Sequence, residues 1–288
     1  MNITKSKSKI RAIGFSMAVI IVYLLNSVLV GIVYGVLLGM GLVGDGMDFD
    51  SFLDNNSISF LATVSILSII VFGIILYFKQ KNSKKYSDKP FASLNGKFKK
   101  KEFMESIILF VGAFGITILW VILISFLSEG SSFYKGLLES HNSTLGSLVG
   151  TESLMFSIIT VSIIVPIAEE LFFRGLIYGR LRQAMKPMVA ILISSIVFGI
   201  FHGNVVQGVY AFFIGCALAL VYEKTDSLLL SIFGHALINA IGMGLPFLGL
   251  DKFRLVLNIL SFIAIIPSII IIRKWIRESR DMDKIVSW

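Results

Sequence analysis

The chain has 288 residues, 56% of them hydrophobic and 15% charged, and a formal net charge of +8, with a mean hydropathy of +0.86. A water-soluble domain runs nearer half apolar and a quarter charged, so composition excludes one and points to a membrane protein. Cys216 is the single cysteine, which excludes an intramolecular disulfide and a thiolate metal cluster; inside an apolar run it is expected to pack as a small hydrophobe.

Eight apolar segments follow in chain order, near 12–43, 58–78, 104–127, 152–178, 188–203, 205–222, 228–248 and 255–272. They are continuous runs on the scale of the roughly 20 residues that cross a bilayer, not the alternating pattern of a barrel strand. The predicted fold is therefore all-α, a polytopic transmembrane bundle of about eight spans. The first segment follows Lys5, Lys7, Lys9 and Arg11, like the start of a signal peptide. It is far longer than a signal core and lacks an A-x-A site, so it reads as a retained first span. Gly31, Gly35 and Gly39, at four-residue spacing, predict close helix packing through a small-residue face. Gly203 and Asn204 are nearly all that separates the fifth segment from the sixth. No internal repeat or low-complexity tract is visible.

Charge sets the expected orientation. With both termini in the cytoplasm, all 26 lysines and arginines except Lys135, Lys252 and Arg254 fall inside, many of them in the Lys-rich loop 79–103. The first outer loop carries Asp45, Asp48, Asp50 and Asp54 instead. This satisfies the positive-inside rule for a multi-pass protein of the cell membrane. The lysine loop reads as a solvated segment beside anionic lipid headgroups, and no nucleic-acid module is present.

Ionisable groups inside apolar spans are costly, and so are functional candidates by default. Three clusters occur, all in the second half of the chain; the first half offers only Asn26. In the fourth segment, Glu170 and Arg174 stand at i and i+4, the spacing of an intrahelical ion pair. Glu169 is rotated about 100° away on a regular helix, so Arg174 cannot readily neutralise both acids. A carboxylate in a low-dielectric place is a plausible proton acceptor. The second cluster is Phe198 to His202, and the third is His235 with Asn239, again at i and i+4. Counted from the basic or acidic residues at the helix ends (Arg180, Arg182, Lys186 and Asp226), these groups lie roughly 14–24 Å deep at 1.5 Å per residue. The depths converge near the bilayer middle, as one catalytic pocket would require.

Several chemistries drop out. G-x-S-x-G and H-E-x-x-H are absent, and nothing pairs a histidine with Cys216. A carboxylate, two imidazoles and an amide remain, a set suited to amide hydrolysis. Glu169 with His202 could activate a water, while His235 and Asn239 could donate to the oxyanion. Alternatively, Glu169, His202 and His235 could hold a Zn2+ ion that activates the same water. The metal-free version is preferred, because a histidine partnered by an asparagine reads more as an oxyanion hole than as a ligand pair.

The series E-E-x-x-x-R, F-x-x-x-H and H-x-x-x-N, in order on successive membrane helices, resembles the CAAX protease and bacteriocin-processing (CPBP, or Abi) family, intramembrane endopeptidases related to the prenyl protease Rce1. The resemblance covers about residues 152–248. It implies a protease core there, flanked by an N-terminal three-span region, 1–127, and by a last span with a basic tail, 249–288. It also implies that Glu169 and His202 activate water, that His235 and Asn239 form the oxyanion hole, and that Glu170 and Arg174 support the site. The implied partner is a membrane-associated peptide or protein substrate. The rival expectation is a non-catalytic bacteriocin-immunity or scaffold protein that keeps its polar groups as helix glue. A proton-coupled transporter is disfavoured by the lack of repeat symmetry.

Overall fold

The computed structural model of the chain describes residues 3–43, 46–83, 91–148, 153–244 and 250–286. Asp45, Lys84, Lys85 and Lys89, together with residue 152 and residues 245–248 of two predicted segments, lie outside these. Every regular element among the described residues is a helix. In chain order they are α1 (Ile3–Gly39), α2 (Phe49–Asn55), α3 (Ser57–Ser83), α4 (Lys100–Ser128), α5 (Ser132–Ser147), α6 (Leu154–Leu181), α7 (Pro187–Phe201), α8 (Val205–Thr225), α9 (Leu228–Asn239) and α10 (Asp251–Val286).

Each of the eight predicted segments contains a helix among the described residues. Among the described residues, six helices are long and apolar enough to cross a membrane: α1, α3, α4, α6, α8 and α10. The fifth and seventh segments are shorter. The 15 residues of α7 rise about 22 Å, less than the roughly 30 Å of hydrocarbon in a bilayer. Side chains such as Leu25, Ile32, Phe126 and Ile266 are more than half exposed. For helices of this composition, such apolar outer surface fits contact with lipid tails. The protein is thus a multi-pass helical membrane protein.

Some boundaries move from the predicted ones. α1 ends at Gly39, and a turn with Gly41 at φ +66° follows, so the last four residues of the first segment are not helix. The Lys-rich loop is narrowed at both ends, since α3 runs on to Ser83 and α4 starts at Lys100. There the backbone N–H of Lys99 donates to Glu102 Oε2 at 2.8 Å, supplying a partner for one donor ahead of the helix. α2 and α5 were not predicted at all. α2 is capped by Asp48, whose carboxylate accepts from Ser51 N at 2.9 Å and from Ser51 Oγ at 2.8 Å. The backbone bond, then the side-chain one, hold the Asp48 carboxyl below its usual pKa.

The chain divides into two compact units, residues 1–93 with 139–190, and residues 94–138 with 191–288. In the first unit, α1, α3 and α6 pack on one another. Asn26 of α1 is buried and donates to Ser68 Oγ at 2.8 Å and Val64 O at 3.3 Å on α3. Tyr34 and Thr63 join the same pair of helices at 3.0 Å. The expected packing through Gly31, Gly35 and Gly39 is not found. Nothing lies within 4 Å of a Cβ built on Gly31 or Gly39, and Gly35 meets only the Phe49 ring at an ordinary 3.6 Å. Polar side-chain bonds, not a glycine face, connect α1 to α3.

In the second unit α10 lies along α4, and here glycines do set the approach. A Cβ on Gly112 would fall on Ser268 Oγ, and one on Gly115 on Ser261 O. Ser268 Oγ also donates to Ile108 O at 2.9 Å. At one end of this unit charged side chains join three helices. Lys274 Nζ reaches Glu105 at 2.6 Å, Trp275 Nε1 donates to the same carboxylate at 2.7 Å, and Lys224 Nζ meets Glu278 at 2.6 Å.

Candidate active site

The glutamate pair sits on α6 in the first unit. α6 is not the regular helix that was predicted. Pro166 has no N–H to give, and just before it the ladder widens into a π turn, Thr160–Ile164, where Val165 N–H donates to Thr160 O five residues back. A second π stretch, Leu171–Tyr178, follows the glutamates, and every side chain in it is buried. Such widened turns recur at functional sites. Between them, Val165–Glu170 is α-helical and carries both acids.

The predicted ion pair forms: Arg174 Nη1 lies 2.6 Å from Glu170 Oε1, with the two side chains 1% and 0% exposed. Breaking a charge pair this deep would leave an uncompensated buried charge. Glu169, one residue earlier, is half-buried. Beside it is an aromatic column. Phe172 meets Phe173 at 4.6 Å, Phe72 of α3 at 5.1 Å and Tyr23 of α1 at 5.3 Å.

The two histidine motifs lie in the second unit. His202 was predicted inside a span, but it is the first residue beyond α7, in the turn leading to α8. The turn is tight for identifiable reasons. Gly203 takes φ +66°, a left-handed conformation that favours glycine just past a helix end. Asn204 caps α8 by accepting from Gln207 N at 3.1 Å. A Cβ on Gly199 would come within 2.6 Å of Gly208 O, and one on Gly208 within 2.9 Å of Gly199 O, so only glycines let the hairpin arms meet. Trp120 of α4 steadies the start of α8 by donating Nε1–H to Val206 O at 2.9 Å.

His202 Nδ1 lies 2.8 Å from Phe198 O. A carbonyl oxygen only accepts, so Nδ1 carries a proton, and in the neutral ring Nε2 is then the acceptor. Phe198 itself is 1% exposed. Its ring stands edge-on to His202 at 4.8 Å and to His235 of α9 at 5.6 Å. The second unit thus brings both imidazoles into contact with one phenylalanine, a relation that sequence spacing did not reveal. His235 is buried. Asn239, the last residue of α9, is half-buried, and the chain then widens into a π turn, Ala240–Gly244. At four residues apart on one helix, Asn239 and His235 share a face. Ser227 starts α9 by accepting from Leu230 N at 3.2 Å.

Among the described residues, no three His, Cys, Asp or Glu side chains are grouped so as to hold a metal ion. A cleft of about 520 Å³ opens along α7 and α8, lined by residues such as Ile196, Ile200, Gly203, Val205 and Phe212. None of the six candidate polar residues lines it.

Apolar helices that bury an ion pair in the first unit and His235 in the second define a polytopic membrane protein. Residues 151–241 match the family described as type II CAAX prenyl endopeptidase Rce1-like, which bears out the resemblance seen in the motifs. Over 133 residues the chain is 31% identical to the Bacillus subtilis (strain 168) protein named "Putative membrane peptidase YdiL". That alignment takes in 43% of this chain and 54% of the relative, so the chain spans about half the length of the curated protein it matches. No solved structure matches the chain significantly. The Rce1-like segment contains Glu169, Glu170, Arg174, His202, His235 and Asn239, and it leaves out α1 to α5.

Proposed function

We propose that this protein is an intramembrane endopeptidase that hydrolyses a peptide bond of a membrane-associated peptide or protein, using water activated by Glu169 and without a metal. The Rce1-like segment and the similarity to a protein named as a membrane peptidase support the reaction class. The structural observation that carries the reading is the 2.8 Å contact between His202 Nδ1 and Phe198 O. A histidine whose Nδ1–H is taken up by Phe198 O offers Nε2 as an acceptor, as a residue that orients a water must.

In this reading Glu169 and His202 Nε2 accept the two hydrogens of the attacking water. The oxygen adds to the scissile carbonyl carbon while one proton passes to Glu169. The carbonyl oxygen becomes an oxyanion and accepts hydrogen bonds from His235 and from the Asn239 amide. Each such donor is worth about 3–4 kcal/mol in the transition state. Collapse of the tetrahedral species returns the proton to the departing nitrogen and breaks the C–N bond. Glu170 and Arg174 contact no reacting atom; they fix the turn that carries Glu169.

The test compares peptides in membranes of cells carrying wild type, Glu169→Gln, His202→Ala or His235→Ala. Each variant is expected to insert normally and to accumulate the same uncut precursor. Identical peptide profiles in all four strains would overturn the reading. Tight stoichiometric zinc in the purified protein, with cleavage lost on chelation, would replace the metal-free version by the metal-dependent one.

A further inference from the structure

α4 lies outside the Rce1-like segment, yet it packs against α9, the helix that carries His235 and Asn239. Phe103, Phe110 and Phe114 stand on α4 at spacings that put all three rings on one side of that helix. Each meets α9 or its extension at a different level. Phe103 stacks with Phe233 at 6.5 Å, the tip of the Phe110 ring covers Gly234, and Phe114 lies 3.4 Å from a Cβ built on Gly242 in the π turn beyond. The middle contact is the closest. A Cβ on Gly234 would fall on Cε1, Cζ and Cε2 of Phe110, and that ring is fully buried, with little room to yield in a close-packed interior. Glycine is a poor helix former, and what it permits in the middle of α9 is this approach. His235 is the next residue, buried and in contact with the Phe198 ring at 5.6 Å. The distance between α4 and α9 therefore fixes where the His235 and Asn239 face stands.

We propose that Phe110 of α4 is a positioning residue for the oxyanion donors: its ring, seated on Gly234, sets how closely α9 packs and hence where His235 and Asn239 stand. The inference rests on the reading of His235 and Asn239 as the oxyanion hole. Phe110 touches no reacting atom and acts through the backbone of α9. It makes α4 part of the working site, not only a span that flanks it.

The test uses the full-length protein. Cleavage is read as the ratio of cut to uncut precursor in cell membranes, and position from the His235 ring signals of histidine-labelled protein in nanodiscs of phosphatidylethanolamine and phosphatidylglycerol. Gly234→Ala puts a methyl where the Phe110 ring tip lies. It is expected to move the His235 signals and to lower cleavage about 10²-fold, the scale of a 1 Å misplacement, while the His141 signals of the other unit stay in place. Phe110→Leu removes the ring-tip atoms that the methyl would strike. Gly234→Ala combined with Phe110→Leu is therefore expected to return cleavage to within about tenfold of wild type, as size-compensating swaps do. Wild-type cleavage or unmoved His235 signals in Gly234→Ala overturn the inference, and so does a folded double variant that cleaves no better than Gly234→Ala. Should Gly234→Ala fail to assemble, Phe110→Leu alone decides, because it opens a gap without a clash: His235 signals or cleavage left at the wild-type value overturn the inference. His235→Ala reports separately on the parent reading: retained cleavage overturns the oxyanion role of His235, whatever the packing variants do to its ring signals.

Discussion

The Nδ1–H of His202 donates to the carbonyl oxygen of Phe198, 2.8 Å away and four residues earlier. The bond uses a carbonyl that the end of α7 would otherwise leave without a partner, so helix termination and tautomer selection are one event. Histidine 15N spectra of the labelled protein in nanodiscs should show a neutral Nδ1–H imidazole that disappears in His202→Ala. That variant should lose peptide cleavage by about 10²–10⁴-fold, the range for a general acid–base group. A spectrum showing the Nε2–H tautomer would contradict the assignment.

The Glu170–Arg174 pair is expected to matter for folding more than for chemistry. Arg174→Ala leaves a fully buried carboxylate without its partner guanidinium, a change that costs about 3–5 kcal/mol when a buried pair is broken. The variant should accumulate poorly and unfold early in an SDS titration from bicelles. Replacing both charges, as in Glu170→Gln with Arg174→Met, should recover most of that loss, because no lone charge stays inside.

Asn26 provides a gentler comparison in the same unit. It joins α1 to α3 through Ser68 and Val64, and interhelical bonds of this kind average about 0.6 kcal/mol and reach about 1.7. Asn26→Leu should therefore shift the same SDS titration slightly, leaving a folded protein.

Close approach of α4 and α10 depends on Gly112 and Gly115. A side chain at 112 would collide with Ser268, and overpacking typically costs about 1–3 kcal/mol. Gly112→Val should destabilise the protein by that order, while Gly31→Val, on the open stretch of α1, should have little effect. Unfolding midpoints of the two variants, measured side by side, check the contrast.

His141 of α5 is 3% exposed, and its burial lowers its pKa below the usual 6.5. The folded state therefore disfavours the charged ring, and below about pH 6.5 the unfolded chain binds more protons than the folded one. By linkage, stability is expected to fall as pH drops through that region and to be fully present above it. His141→Gln should flatten this part of the stability curve, read from unfolding midpoints between pH 5 and 8.

Much of the site was legible because its pieces are local. Glu170 with Arg174, and His235 with Asn239, are contacts or alignments within one helix, so counting residues was enough. The hairpin at Gly203 and Asn204 was visible as the break between two apolar runs. Phe198 as the common neighbour of both imidazoles was not visible. Nor was Tyr23 against Phe172, because these contacts join helices far apart in the chain. The π turns of α6 were hidden too, since their local composition differs little from that of an ordinary apolar helix.

Hydropathy and charge by themselves determined that this chain folds as apolar helices and where most of them start and stop. The reason is that backbone hydrogen bonds in lipid must close within each helix, a constraint acting on neighbours in sequence. Tertiary structure alone decided which glycines meet a partner, with 112 and 115 in contact and 31 and 39 left open. It also placed His202 at a helix end, and it set a first-span tyrosine beside the glutamate turn. Those outcomes depend on the shape of the facing helix, and no residue carries that shape in its own surroundings along the chain.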